Sequence, residues 1–245
     1  MSIAIFGFKL KRIQESEGNK IMAINTVDQI DNMVPIKHAL ISVSDKSGLD
    51  QFIPELISCC PTLKIFSTGG TFQKIQSILG NSLEKNLLQV SDYTGQPEVQ
   101  GGLVKTLDYK IYLGLLTETY NDAHQNDLHR TSSVPIDLVI VNLYPFKETI
   151  SKPDVTAELA RGNIDIGGPC MIRAAAKNFL RVTVAVDPSD YPTILNELNN
   201  NNGQTSLKMR YKLACKAFDH TYSYDQSIAS YFKDTSFDRV QACYN

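Results

Sequence analysis

Residues 38–79 read HALISVSDKSGLDQFIPELISCCPTLKIFSTGGTFQKIQSIL, and the fold class can be predicted from them. They contain one pattern twice. The apolar run His38–Val43 is rich in branched side chains, which is typical of a strand, and a polar turn and an amphipathic helical segment follow it. Residues 63–79 repeat this order around the turn STGGT. Such alternation of strands and helices predicts an α/β domain built on a largely parallel sheet.

Further elements are predicted downstream of this pair. Residues 137–141 (DLVIV) form a continuous apolar run, which indicates a central parallel strand covered on both faces. Residues 111–116 are a shorter apolar run and are interpreted as another strand. The polar residues 117–134 are interpreted as a loop, and residues 206–232 as one long helix or two abutting helices.

Composition and charge exclude several classes of protein. Of the 245 residues, 42% are hydrophobic and 20% are charged, as in ordinary globular domains. The formal net charge of −2 gives no electrostatic reason to expect nucleic acid or a membrane surface as a partner. No apolar run approaches the roughly 18 residues of a membrane span, and no signal-peptide pattern is found, which predicts a cytoplasmic protein. The five cysteines are scattered without a CxxC pair, which argues against a disulfide framework and against a zinc site.

The chain divides into three parts on this reading. Residues 1–36 carry no motif and are assigned to an N-terminal extension, either a loose arm or an oligomer contact. Residues 37–233 are assigned to the α/β domain, and residues 234–245 to a C-terminal tail.

Polar residues gather in the two turns that follow the first two predicted strands. Ser42, Ser44 and Lys46 lie where the first strand meets a helix, and STGGT occupies the corresponding place after the second. Free N–H groups and the helix dipole make such a turn a good anion site, and glycines flanked by hydroxyls suit phosphate oxygens. Both turns are expected at the carboxyl edge of the sheet, where ligands bind in open α/β folds. An ordinary helix cap by Ser44 or Asp45 is the alternative.

Residues 163–178, NIDIGGPCMIRAAAKN, hold a second polar cluster. Asp165 precedes a Gly-Gly-Pro break, which suits a helix start and the close approach of a ligand. Arg173 and Lys177 are four residues apart on the predicted helix and so share one face. The residues therefore form either a compact polar site, or a capping carboxylate and a solvated lysine.

Several segments, taken in order, resemble the inosine monophosphate (IMP) cyclohydrolase domain, the N-terminal half of a bifunctional enzyme of purine biosynthesis. They are ALISVSDKSGL, STGGT, SDYTGQPE, VKTL, DLVIVNLYPF, NIDIGGPCMIRAAAKN, VDPSDY and KAFDHTYSYDQSIASYF, and they extend over residues 37–232. The resemblance implies a doubly wound α/β fold of the methylglyoxal-synthase-like family, with a phosphate site at the strand ends. It also implies closure of a purine ring, in which the carboxamide nitrogen of 5-formamidoimidazole-4-carboxamide ribotide attacks the formyl carbon and water leaves. This chemistry requires no redox step and no metal, so no cofactor is expected.

The family's site residues are carried over by motif. The catalytic positions match Lys105 of VKTL, Tyr144 of NLYPF, Asp165 of NIDIGG and Lys177 of AAAKN. The resemblance implies that Asp165 and Lys177 assist deprotonation of the carboxamide. Lys105 and Tyr144 would transfer protons or polarise the formyl oxygen. The implied substrate-binding residues are Ser42, Ser44, Lys46, Ser67, Gly69, Gly70, Thr71, Thr106, and the backbone of Ile166 and Gly167.

Three positions depart from the family pattern. Leu103 stands where the family usually has an arginine, and Asp108 and Tyr112 stand where it has histidines. The loss of a cation and two imidazoles would weaken binding or change the ligand, so a regulatory or catalytically altered module that binds a phosphorylated ligand is the alternative function. The family's formyltransferase motif is not found after the last helical segment, so a separate formyltransferase protein is expected to supply the substrate. A homodimer remains open.

Overall fold

In the computed structural model, which describes residues 26–80, 84–97, 99 and 104–244, five parallel strands form the central sheet. The strands of the described residues are β1 (Met33–Pro35), β2 (His38–Val43), β3 (Lys64–Ser67), β4 (Leu87–Gln89), β5 (Leu138–Asn142), β6 (Thr183–Ala185) and β7 (Gln204–Ser206). The order across the parallel sheet is β4-β3-β2-β5-β6. The chain therefore winds outward in opposite directions from β2 and β5, and a sheet of this kind binds ligands where that reversal occurs.

Helices cover both faces of this sheet. They are α1 (Leu49–Cys59), α2 (Gly69–Leu79), α3 (Val90–Thr94), α4 (Tyr109–Leu116), α5 (Asp122–Arg130), α6 (Phe146–Ile150), α7 (Ala157–Gly162), α8 (Gly167–Lys177), α9 (Tyr191–Asn200), α10 (Leu207–Asp234) and α11 (Phe237–Gln241). Helices α1, α2 and α9 pack on one face, and α4, α8 and α10 pack mainly on the other. Side chains alternate between the two cores along each strand, so that Ile41 of β2 belongs to the first core and Leu40 to the second. This arrangement confirms the doubly wound α/β fold.

The end of the segment assigned to an N-terminal extension packs as part of the domain. Strand β1 pairs antiparallel with β7, and Val34 and Ile36 are buried. The fully buried guanidinium of Arg210 donates hydrogen bonds to the backbone carbonyls of Asp31 at 2.8 Å and Asn32 at 3.3 Å. Residues 1–25 of that segment lie outside the described residues. At the other end of the chain, the segment assigned to a tail contains α11.

Two predicted elements are wrong. Residues 111–116 form helix α4, not a strand, because a short apolar run does not distinguish a strand from a buried helical turn. Asp108 caps this helix by accepting a hydrogen bond from the N–H of Lys110 at 2.8 Å. The predicted loop 117–134 contains α5, whose single buried residue, Leu128, gives too weak an apolar pattern to reveal it. The segment left open as one or two helices is the single helix α10.

Among the described residues, no helix combines the length and the apolar composition that crossing a membrane requires.

Candidate active site

A cleft of about 400 Å³ opens at the carboxyl edge of the sheet, beside β2 and β5. Five segments form its walls: the turn after β2, the turn after β3, the loop before α4, the segment after β5, and the start of α8 with the residues that precede it. The residues of the predicted site that line it are Ser42, Ser44, Lys46, Gly69, Gly70, Thr71, Lys105, Thr106, Tyr144, Asp165, Ile166 and Gly167. The cleft therefore lies where the reversal of the sheet predicts a ligand site.

The turn after β2 is shaped by Asn142, a residue that the sequence interpretation did not single out. Its Oδ1 accepts hydrogen bonds from the N–H groups of Ser44 at 2.6 Å and Asp45 at 2.9 Å. Its Nδ2 donates to the carbonyl of Asp45 at 2.8 Å. These two amides are therefore already occupied. The available signal was a polar residue at the end of an otherwise apolar strand, DLVIVN.

The hydroxyls of the turn after β3 are used to hold the backbone of β2. The Oγ of Ser67 donates to the carbonyl of Ile41 at 2.7 Å, and its side chain is fully buried. The Oγ1 of Thr71 accepts from the N–H of Val43 at 3.1 Å and donates to the carbonyl of the same residue at 3.0 Å. Both hydroxyls thus fix the relative position of the two turns, and Ser67 is not among the residues that line the main cleft.

Helix α2 begins at Gly69, so its first N–H groups face the cleft from the end of β3. Gly69 has a φ of +47°, and a Cβ at this position would lie 3.3 Å from the Nζ of Lys105. Glycine therefore permits both the left-handed backbone and the approach of the lysine. Lys46 lies nearby, and its Nζ donates to the carbonyls of Val43 at 3.3 Å and Ser44 at 3.2 Å.

Asp165 sits at the opposite wall, immediately before α8. Its Oδ1 accepts a hydrogen bond from the N–H of Gly168 at 2.9 Å, so the carboxylate caps the helix and lines the cleft at the same time. Burial raises the pKa of the Asp165 carboxyl, and hydrogen bonds from the amides of Gly168 and Tyr144 oppose this shift. A raised pKa makes the carboxylate a stronger base than an exposed aspartate.

Two further predicted residues lie near Asp165. The side chain of Tyr144 is 56% exposed at the rim. Thr106 is buried, and its Oγ1 lies 2.8 Å from the point where a Cβ of Gly167 would be, so this glycine allows the loop before α4 to touch the start of α8. Three of the four predicted catalytic residues, Lys105, Tyr144 and Asp165, therefore line one cleft.

Lys177 lies outside this cleft. It is the last residue of α8 and lies six residues, or about 9 Å of helix, beyond Met171, the last residue of α8 that lines the cleft. Its side chain is exposed, on the same outer face of α8 as Arg173. Asp165 and Lys177 belong to the same sequence motif, but within one chain they lie at opposite ends of α8.

The departures from the family pattern have different surroundings. Leu103 and the glycines before it lie outside the described residues. Asp108 is the cap of α4, and Tyr112 lies on that helix with a hydroxyl that burial keeps protonated by raising its pKa above the usual range. Within the described residues, no three His, Cys, Asp or Glu side chains are grouped so that they could hold a metal ion.

Comparisons with known proteins identify the families that this chain resembles. The family model of the AICARFT/IMPCHase bienzyme matches residues 175–244, and that of the MGS-like domain matches residues 51–170. The bifunctional purine biosynthesis protein PurH of Bacillus subtilis (strain 168) is 48% identical over 196 residues, which are 80% of this chain and 37% of that protein. PurH of Ruminiclostridium cellulolyticum is 47% identical over 200 residues, 82% of this chain and 37% of that protein. The chain thus spans little more than a third of the length of these curated relatives.

A solved structure extends the comparison. The crystal structure of ForH matches with a TM-score of 0.68 and 30% identity, covering 80% of this chain and 99% of that one. The family models, the identity of nearly one half to PurH proteins and the shared fold all fall on the domain that contains the cleft. This chain therefore belongs to the AICARFT/IMPCHase family and has an MGS-like fold.

Proposed function

We propose that this chain is an active IMP cyclohydrolase, which closes 5-formamidoimidazole-4-carboxamide ribotide to IMP in the last step of de novo purine synthesis. One observation carries the proposal: a single cleft joins an anion-binding wall to an acid, a phenol and an amine, at Asp165, Tyr144 and Lys105. The ribotide matches this arrangement, because it has a phosphate at one end and the reacting groups at the other. A formyltransferase, on the same or on a separate polypeptide, supplies the formylated substrate.

The phosphate binds at the start of α2 in this proposal. The first N–H groups of a helix are unpaired within it and carry the positive end of its dipole. Lys46 adds a positive charge beside the same turn, and its Cε lies 3.8 Å from the point where a Cβ of Gly70 would be. The amides of Ser44 and Asp45 bind Asn142 instead, so they hold the turn in place and the α2 amides contact the phosphate.

The reaction takes place at the opposite wall. The Asp165 carboxylate accepts a proton from the carboxamide nitrogen as that nitrogen forms a bond to the formyl carbon. The formyl oxygen gains negative charge, which the amides of Ile166 and Gly167 at the start of α8 stabilise. A proton neutralises it, delivered from Tyr144 or, from the side of the cleft where Gly69 lies, from Lys105. The resulting hydroxyl takes up the proton that the former formamide nitrogen loses as its double bond to the carbon forms, and it leaves as water. The proton on Asp165 returns through solvent to Lys105 or Tyr144, so that all the groups regain their starting states. Because both reacting groups are on one substrate molecule, holding them in contact provides much of the acceleration.

A ring-closure assay tests this proposal. Purified protein mixed with the formamido ribotide should change the ultraviolet absorbance faster than the spontaneous reaction, and Asp165→Asn should lower kcat by about 10²–10⁴-fold, as the loss of a general base does. Calorimetry with IMP should show that this variant still binds the nucleotide. Binding of IMP by the wild-type protein without any turnover would instead favour the regulatory or altered module.

A homodimer is part of the proposal, because it gives Lys177 a role. Lys177 is not among the residues that line the cleft of its own chain and lies at the far end of α8, so we infer that it assists catalysis in the cleft of a second copy. The neighbouring surface suits such a contact, since Tyr211, Phe218 and Tyr222 are exposed along α10, which packs against α8.

Subunit complementation tests the shared site. Lys177→Ala and Asp165→Asn should each be inactive alone. After the two are mixed and allowed to exchange, half of the dimers are mixed and each mixed dimer contains one intact site, so about a quarter of the wild-type activity should return. If activity does not return although mass spectrometry shows mixed dimers, Lys177 does not act across an interface.

A further inference from the structure

Helix α10 contributes a polar group to the wall of the cleft that contains Asp165. The Oη of Tyr224 accepts a hydrogen bond from the backbone N–H of Asp165 at 2.7 Å, although the two residues are 59 positions apart in the chain. Asp165 lies in the short connection between α7 and α8. This bond therefore ties the peptide of the connection to a distant, long helix.

The ring of Tyr224 is itself held in place. It is 9% exposed and packs edge-on against Phe146, with ring centroids 6.2 Å apart and an interplanar angle of 69°. Phe146 is the first residue of α6 and follows Tyr144 by two positions, and α10 packs along α8 and β6. A hydroxyl mounted on this core has little freedom to move, since buried side chains are close-packed.

The carboxylate of Asp165 fits closely against the start of α8. A Cβ built on Gly168 would lie 2.6 Å from its Oδ2 and 2.5 Å from the Cδ2 of Leu143. The Oδ1 is bound by the N–H of Gly168. A small rotation of the Asp165 peptide would therefore break the capping bond or push the carboxylate into its neighbours.

The phenol is suited to hold this peptide over a wide pH range. Burial raises the pKa of Tyr224, so its oxygen stays neutral and protonated under ordinary conditions. A neutral hydroxyl oxygen accepts from the peptide N–H without placing a second negative charge beside Asp165.

We propose that Tyr224 is a positioning residue of the cleft: its hydroxyl fixes the peptide of Asp165 and thereby orients the carboxylate towards the substrate. This inference rests on the proposed cyclohydrolase function. The misplacement of a catalytic group by a fraction of an ångström is enough to slow a reaction that depends on near-attack geometry.

The chain offers a matched control for the experiment. Tyr231 lies two turns further along α10, also packs edge-on against Phe146 at 6.0 Å, and has a buried hydroxyl without a hydrogen-bond partner among the described residues. Tyr224→Phe and Tyr231→Phe therefore each remove one hydroxyl from the same packing environment, but only the first removes a bond to Asp165. Three quantities are measured for both variants: kcat and KM for ring closure, the melting temperature, and the pKa of Asp165 from carboxyl-carbon NMR.

We expect Tyr224→Phe to lower kcat by about 10-fold or more with KM within about twofold of the wild type, and Tyr231→Phe to leave both within about twofold. The pKa of Asp165 should fall towards that of an exposed aspartate in Tyr224→Phe alone, because the carboxylate gains access to water once its peptide is released. Equal kcat values and equal Asp165 pKa values in the two variants would overturn the inference.

The NMR measurement separates this inference from the proposed function. If the wild-type protein shows no ring closure, the proposed function fails, yet a pKa change specific to Tyr224→Phe still demonstrates the positioning of Asp165. If the wild type is active and the two variants behave alike in every measurement, the role of Tyr224 fails and the proposed function stands.

Discussion

The turns after β2 and β3 form one wall of the cleft and the start of α8 forms the other, and the two walls use their polar side chains differently. At the first wall the hydroxyl of Thr71, and behind it the buried hydroxyl of Ser67, are hydrogen-bonded to the backbone of β2, at Val43 and Ile41. In the second wall the carboxylate of Asp165 faces the cleft and keeps a raised pKa. The first wall is thus suited to binding through backbone amides and one lysine, and the second to chemistry through a side chain. Changes in the first wall should therefore affect KM, and changes in the second should affect kcat.

Among the changes that test this comparison of the two walls, the largest expected effect comes from crowding the second wall. Gly168→Ala places a Cβ against the carboxylate of Asp165 and against Leu143, so we expect kcat to fall by about 100-fold. Steady-state kinetics measures the loss. Gly114→Ala is the control, because its Cβ would meet the carbonyl of Val134 at 2.5 Å and neither residue lines the cleft. Both variants should lose thermal stability through overpacking, but a comparable loss of kcat in Gly114→Ala would mean that general destabilisation explains the result.

An intermediate effect is expected in the first wall. Lys46→Ala removes the charge beside the α2 amides, so KM should rise by about 10-fold while kcat stays within about twofold. The rise should shrink as salt is added, since screening already weakens the lysine's attraction for phosphate. Lys74→Ala is the matched control, because Lys74 forms an exposed ion pair with Asp50 at 2.7 Å and lies outside the cleft lining. A drop in kcat with unchanged KM would assign Lys46 to the chemistry and break the division between the walls.

The smallest effect concerns stability and pH. The folded-state pKa of Asp165 is raised above its ordinary value of 3.8, so its contribution to the free energy of unfolding is present below that value and is lost as pH rises through the folded pKa. Asp165→Asn keeps a capping oxygen and removes this titration. Denaturant titrations should therefore show the variant gaining stability relative to the wild type between pH 3 and neutrality. The activity of the wild type should fall as pH is lowered through the same pKa, because the carboxylate is the base. A wild type that gains stability relative to the variant as pH rises would show that the pKa is lowered.

The parts of the fold that depend on local pattern could be predicted from the sequence. The strand His38–Val43 has the predicted limits, and the DLVIV run is central strand β5. The spacing of apolar residues did not reveal helices that are short or that bury few side chains. The segment of helix α4 was predicted as a strand because its apolar run is short. Helix α5 was predicted as a loop because only one of its side chains, that of Leu128, is buried.

The family resemblance, and not the local pattern, predicted that Lys105, Tyr144 and Asp165 share one site, and the structure places all three at one cleft. For two contacts the sequence contained no sign of which residues would be the partners. Asn142 reaches back to a turn almost a hundred positions earlier, and Tyr224 reaches a peptide 59 positions earlier. Whether such side chains meet depends on how helices and strands pack, which no local pattern encodes.

Thus the sequence by itself determined the α/β class, which follows from short-range periodicity, and its resemblance to a family determined which residues were expected at the site. Only the tertiary structure decided that serine and threonine hydroxyls hold the scaffold, that Tyr224 holds Asp165, and that Lys177 lies about 15 Å from the start of its own helix. The physical reason is that the helical rise separates residues that a motif lists together, while packing joins residues that the chain keeps apart.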